Sequence, residues 1–130
     1  MRRWMFVIMV GMLVLLSGCQ GAGSAKGFTD ITVDELSNML ESKDFLFVNT
    51  HIPYEGEIPA TDEFVPYDQL EQYAGLLPAD KGAKIVLYCR SGRMSEIAAA
   101  ALVEQGYTNI YELDGGMIAW EEAGLPLIGK

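Results

Sequence analysis

Residues Ile85-Val86-Leu87-Tyr88 make a short apolar run that stops on Cys89, opens into Arg90-Ser91-Gly92-Arg93-Met94, and meets an alanine-rich stretch at Ser95. Four apolar residues without polar alternation are the composition of a parallel strand buried on both faces. Strong helix formers then run from Ser95 to Gln105, and Gly106 supplies a stop. Cys89 therefore falls where a strand hands over to a helix N-terminus. Unpaired backbone N–H groups converge there and the helix dipole adds partial positive charge, so an anionic sulfur is stabilised. Arg90 and Arg93 bring two further cations to the turn.

A second apolar run, Phe45-Leu46-Phe47-Val48, predicts another buried strand. Thr32-Val33-Asp34-Glu35 has the pattern of a capping box, and Val33, Leu36, Met39 and Leu40 form one apolar helical stripe, read as core. Parallel strands joined through helices imply an open α/β sheet covered on both faces, whose ligands bind off the carboxyl ends of the strands. Asn49 and Cys89 both stand at such ends. The mixed segment Asp62 to Gln72 predicts a short helix with an apolar face, Asn109 to Leu113 a further strand, and Met117 to Glu122 a last helix. Met117 and Trp120 are read as core or pocket wall.

The loop Cys89-Arg90-Ser91-Gly92-Arg93-Met94 after a strand resembles the active-site loop of rhodanese-like sulfurtransferases. Val33 to Leu40 resembles that family's first helix and Phe45 to Val48 its next strand. The closing segment, Gly106 through Asp114-Gly115-Gly116 to Ala119-Trp120, is similar as well. The resemblance covers residues 28–130 and implies a rhodanese-like, open, mainly parallel sheet with helices on both faces and the active-site loop at a strand-to-helix junction. It implies that Cys89 accepts and donates a sulfur atom through a persulfide. Arg90, Ser91, Gly92, Arg93, Met94 and Ser95 would hold a small anionic donor such as thiosulfate. A thiol or another thiophile would be the acceptor, and no cofactor is implied.

Departures from the family's pattern fall after the Phe45 to Val48 strand. Where the family usually has Asp-x-Arg the chain reads Asn49-Thr50-His51. Where it has Gly-His-Ile-Pro-Gly-Ala the chain reads Gly56-Glu57-Ile58-Pro59-Ala60. The usual loop-bracing salt bridge is thereby lost, while the nucleophile stays. His51, the one histidine, is either a hydrogen-bond partner that promotes thiolate formation or a loop residue in place of a structural arginine. The second reading is favoured because the transfer chemistry needs no histidine. One histidine and one free thiol do not make a zinc-type ligand set, so no metal site is expected.

The chain begins with a positive n-region, Arg2-Arg3, and an apolar h-region, Trp4 to Leu16, that is short for a bilayer span. Leu16-Ser17-Gly18-Cys19 resembles a bacterial lipobox, which implies that residues 1–18 are removed as a signal peptide and that Cys19 is lipidated. Residues 19–27, small and polar after the cysteine, then form a flexible tether of about 30 Å at most. The expected location is the cell envelope, extracytoplasmic and held to a membrane by acyl chains.

Two cysteines, Cys19 and Cys89, are present. With Cys19 lipidated, Cys89 has no partner for an intramolecular disulfide and no resolving cysteine, so another molecule must discharge whatever it carries. The formal charge of −9 includes the +2 of Arg2 and Arg3, leaving −11 after signal removal. Such an acidic surface argues against nucleic acid as a partner. Two other functions stay open: a binding or sulfur-relay module of the envelope, and oxyanion chemistry of the phosphatase or arsenate reductase kind. The latter is disfavoured because Ser95 stands six positions after Cys89, where cysteine phosphatases carry an arginine.

Overall fold

The structure, a computed structural model, describes residues 26–130. The expected signal segment 1–18, the expected lipidation site Cys19 and the expected tether up to residue 25 lie outside the described residues. No helix among those described is long and apolar enough to cross a membrane.

Five parallel strands form one sheet: β1 (Thr29–Ile31), β2 (Leu46–Asn49), β3 (Glu63–Phe64), β4 (Ile85–Tyr88) and β5 (Ile110–Leu113), in the order β1-β5-β4-β2-β3. Among the described residues three α-helices accompany them, α1 (Val33–Glu41), α2 (Arg93–Glu104) and α3 (Gly116–Glu122). β4 is central, in register with β2 through Leu46↔Ile85 and Asn49↔Tyr88 and with β5 through Leu87↔Glu112. All four β4 residues are buried, as an unalternating apolar run requires.

Alternate side chains of the strands feed two cores. Val48, Ile85, Leu87 and Ile110 pack with Ala98, Ala99 and Leu102 of α2. Phe47, Val86, Tyr88 and Leu113 pack on the other face with Leu36 of α1 and Met117 and Trp120 of α3. The capping box at α1 is formed as its sequence predicts. Glu35 N–H donates to Thr32 Oγ1 at 3.2 Å and Thr32 N–H donates to the Glu35 carboxylate at 2.8 Å.

The segment from Asp62 to Gln72 corrects the expectation of a helix. It carries β3 followed by turns, and a 3₁₀ turn at Ala74–Leu76 comes only after it. Pro66 restricts the preceding residue to extended backbone and lacks an N–H for a helix interior. The edge of β2 captures the chain instead: the N–H groups of Asp62, Val65 and Tyr67 donate to the carbonyls of Phe47, Asn49 and Thr50 at 2.9, 2.9 and 3.1 Å. The short β1, two of whose three residues are exposed, has no apolar run to announce it. Helix α2 starts at Arg93, two residues before Ser95, because Gly92 with φ +104° completes the turn.

Candidate active site

β4 delivers Cys89 to the carboxyl end of the sheet, where the residue is 1% exposed. The left-handed backbone at Gly92 curls the following chain back so that its N–H donates to Cys89 Sγ at 3.0 Å. Ser95, on the first turn of α2 and fully buried, brings its hydroxyl within 3.4 Å of the same sulfur. The sulfur thus faces the Gly92 N–H, a donor of the kind that holds an anion at a helix N-terminus, and a hydroxyl whose one proton it shares with other acceptors.

Helix α3 fastens the loop from the other side. Its Met117 and Ile118 N–H groups donate to the carbonyls of Cys89 and Arg90 at 2.9 and 3.0 Å. This approach explains the Gly115-Gly116 pair: a Cβ on Gly116 would run into the Cys89 carbonyl and lie 2.7 Å from that of Arg90.

The remaining loop residues divide by environment. Ser91 and Arg93 are exposed and Met94 is half-buried. Arg93 has no ion-pair partner among the described residues, whereas Arg90 donates to Glu55 Oε2 at 2.8 Å. His51 Nε2 lies 3.0 Å from that same oxygen. Arg90 first, then His51, holds the Glu55 carboxyl below its usual range. His51–Glu55–Arg90 therefore links the segment after β2 to the loop after Cys89, with His51 buried and Arg90 exposed.

Asn49 is buried and turned to backbone duty. Its amide donates to the Gly56 carbonyl at 3.1 Å and its oxygen accepts from His51 N–H at 3.0 Å. Neither Asn49 nor His51 has a hydrogen bond to Cys89 among the described residues, and His51 Nδ1 is buried without a partner. Tyr88 also braces this loop, its hydroxyl accepting from Ile58 N–H at 3.0 Å and lying 2.7 Å from Thr61 Oγ1. A recess of about 30 Å³ beside the loop is lined by Glu55, Arg90, Met117 and Lys130 among others. A larger open cleft of about 640 Å³ lies by Tyr67, Leu70, Ala101 and Gln105, at the opposite end of α2.

Glu112 is the residue that sequence reasoning missed. It is fully buried on β5 and accepts from Ser95 Oγ at 2.5 Å, while its Oε2 has no hydrogen-bond partner among the described residues. Burial foremost pushes its carboxyl up to about 8, against the pull of the Ser95 hydrogen bond, with Glu96, Asp30 and Asp114 adding to the rise. A signal was available, since Glu112 shares the strand face of Ile110, where a parallel sheet should carry an apolar residue. Asp30, Glu96 and Glu112 bring carboxylate oxygens within 4.8 Å of one another, a group the sequence does not announce. Lys26 pairs with Asp30 at 2.8 Å and supplies it with a cation.

Residues 32–123 match the family model of the Rhodanese-like domain. Over 112 residues the chain is 35% identical to the tRNA uridine(34) hydroxylase of Yersinia pestis, covering 77% of this chain and 32% of that protein. The chain thus spans about a third of the length of the curated relatives it matches. A rhodanese-like domain protein from Staphylococcus aureus has a similar structure at TM-score 0.64 and 28% identity, covering 78% of this chain and 99% of that one. The polysulfide-sulfur transferase of Wolinella succinogenes shares the fold at TM-score 0.66 and 21% identity, covering 80% of each chain.

Proposed function

The chain belongs to the rhodanese-like domain family, which is related to sulfurtransferases, and from that premise we propose that it moves sulfane sulfur from an anionic donor such as thiosulfate to a thiophilic acceptor. Cys89 thiolate attacks the outer sulfur of the donor. A new S–S bond forms, the sulfur–sulfonate bond breaks, and its electron pair leaves with sulfite. The terminal persulfide sulfur carries the negative charge until an acceptor takes it and returns the thiolate. The observation that carries this reading is the Gly92 N–H donated to Cys89 Sγ at 3.0 Å at the start of α2, a donor that stabilises the thiolate which attacks and is later released. Arg93 supports capture of an anionic donor, while Arg90 shares its charge with Glu55.

The Leu16 to Cys19 signal supports a lipid-anchored, extracytoplasmic location, with the domain working close to a membrane surface. The Yersinia relative's name describes chemistry on tRNA, but the chain matches only 32% of that protein and carries a net charge of −9, which opposes binding a polyanion.

A second reading, a sulfur-relay or binding module, is favoured by the burial of Cys89, since a donor must reach a sulfur that is 1% exposed. One experiment separates the two. Incubate the purified full chain with thiosulfate, record intact mass, then add cyanide and follow thiocyanate, with Cys89→Ser alongside. Sulfur transfer requires an adduct of one sulfur that Cys89→Ser lacks, and thiocyanate over many turnovers. An adduct without turnover supports the relay. Neither, from a folded protein whose Cys89 still alkylates, sinks the thiosulfate reading.

A further inference from the structure

One buried ionisable group takes no part in the transfer chemistry above. Glu112 lies beneath the turn that holds Cys89: a Cβ on Gly92 would meet its Oε1 at 3.4 Å. The link between them is Ser95, whose single hydroxyl proton has three acceptors in reach, Glu112 Oε1 at 2.5 Å, Gly92 O at 3.1 Å and Cys89 Sγ at 3.4 Å. Legs of 2.5 and 3.4 Å place the carboxyl oxygen no more than 5.9 Å from the sulfur. All three side chains are buried, and among the described residues Glu112 has no other side-chain donor.

We propose that Glu112, acting through the Ser95 hydroxyl, takes up the proton of the Cys89 thiol and returns it, so that the pocket holds one negative charge shared between carboxyl and sulfur. The Cys89 S–H bond breaks and its proton passes to Ser95 Oγ, as the Ser95 proton passes to Glu112 Oε1. The electron pair stays on sulfur. One negative charge stands on the carboxylate before the step and on the sulfur after it, and no oxidant or reductant enters. The neutral carboxyl then donates to Ser95, which donates in turn to the thiolate beside the Gly92 N–H.

The surroundings favour this role. Asp30 from β1, Glu96 from α2 and Asp114 after β5 all oppose ionisation of Glu112, and Lys26, paired with Asp30, is the cation facing them. With its carboxyl pushed up to about 8, Glu112 can hold or release a proton near neutral pH, the condition for a useful acid–base partner. Glu112 touches neither donor nor sulfur, so it is a positioning residue that works through Ser95. The inference deepens the sulfurtransferase reading but concerns the thiol itself.

The test is the rate at which iodoacetamide, a neutral reagent, alkylates Cys89 in the full chain across pH, with mass read as the product. Two acids within 5.9 Å of each other titrate as a coupled pair. The wild-type rate should climb in two steps about one pH unit or more apart. Glu112→Gln should leave one step, and Ser95→Ala, which removes the hydroxyl that links the carboxyl to the thiolate and donates to it, should lower the neutral-pH rate about tenfold. A single step in the wild type overturns the proposal, even if Glu112→Gln fails to fold. So does a two-step profile unchanged in folded Glu112→Gln, or an undiminished neutral rate in Ser95→Ala. Two steps in a protein that forms no persulfide would sink sulfur transfer and leave Glu112's role standing. A single step in a protein that does form it would sink Glu112's role alone.

Discussion

Helices α1 and α2 begin in opposite ways. α1 closes its own N-terminus, with Thr32 and Glu35 satisfying each other's backbone N–H groups at 3.2 and 2.8 Å. α2 has no side-chain cap; its preceding residue is Gly92 at φ +104°, and the N–H of that glycine is donated to a sulfur. A capped end is chemically silent because its donors are already matched. An end capped by a thiol can exchange its partner for an anion without breaking the helix. The chain thus separates a start that only stabilises from a start that can react, and the difference lies in which side chain meets the orphan N–H groups.

That contrast can be broken most sharply behind α2, at Glu112. Its folded carboxyl titrates at about 8 against an ordinary 4.5, so the native state keeps a proton that the unfolded chain releases. Glu112's contribution is therefore complete below pH 4.5 and falls as pH rises through about 8. Denaturant unfolding across that window should show a loss of about 3 to 5 kcal/mol in the wild type that Glu112→Gln lacks.

Gly116→Ala comes next. Its Cβ would press on the Cys89 and Arg90 carbonyls from a left-handed backbone at φ +54°. The expected cost is about 2 to 4 kcal/mol, with sulfur loading reduced because the loop must shift. Gly92→Ala should cost about 1 to 2 kcal/mol, its Cβ meeting nothing closer than 3.4 Å, and should slow sulfur loading by misaiming the N–H.

Thr32→Ala, at the silent helix, should cost about 1 kcal/mol and leave sulfur loading at the wild-type rate. Equal effects of Thr32→Ala and Gly92→Ala on loading, read by intact mass, would erase the distinction between the two helix starts.

Local chemistry was legible in the chain. The glycine turn, α2 and the capping box rest on bonds between residues a few positions apart, and β4 is announced by its unalternating apolar run, so composition and spacing sufficed. Their boundaries moved by two residues at α2, where Gly92 and not the first alanines decides the start. The helix expected within Asp62 to Gln72 failed for a non-local reason: the edge of β2 offered carbonyls that an isolated segment does not see.

The candidate site shows the same division. Cys89 and its helix start could be read from twelve consecutive residues, Lys84 to Ser95. Arg90 could not be seen to pair with Glu55, 35 positions away, nor Ser95 with Glu112, 17 away. The first contact exists because β2 and β4 pair in the register Asn49↔Tyr88, the second because β4 and β5 pair in the register Leu87↔Glu112 and α2 packs across them. The sequence by itself determined where the sulfur stands and that a helix start faces it, since both follow from backbone geometry within one turn. Only the tertiary structure decided which carboxyl lies behind the sulfur and that it is kept from water, because burial depends on which distant segments close over a site.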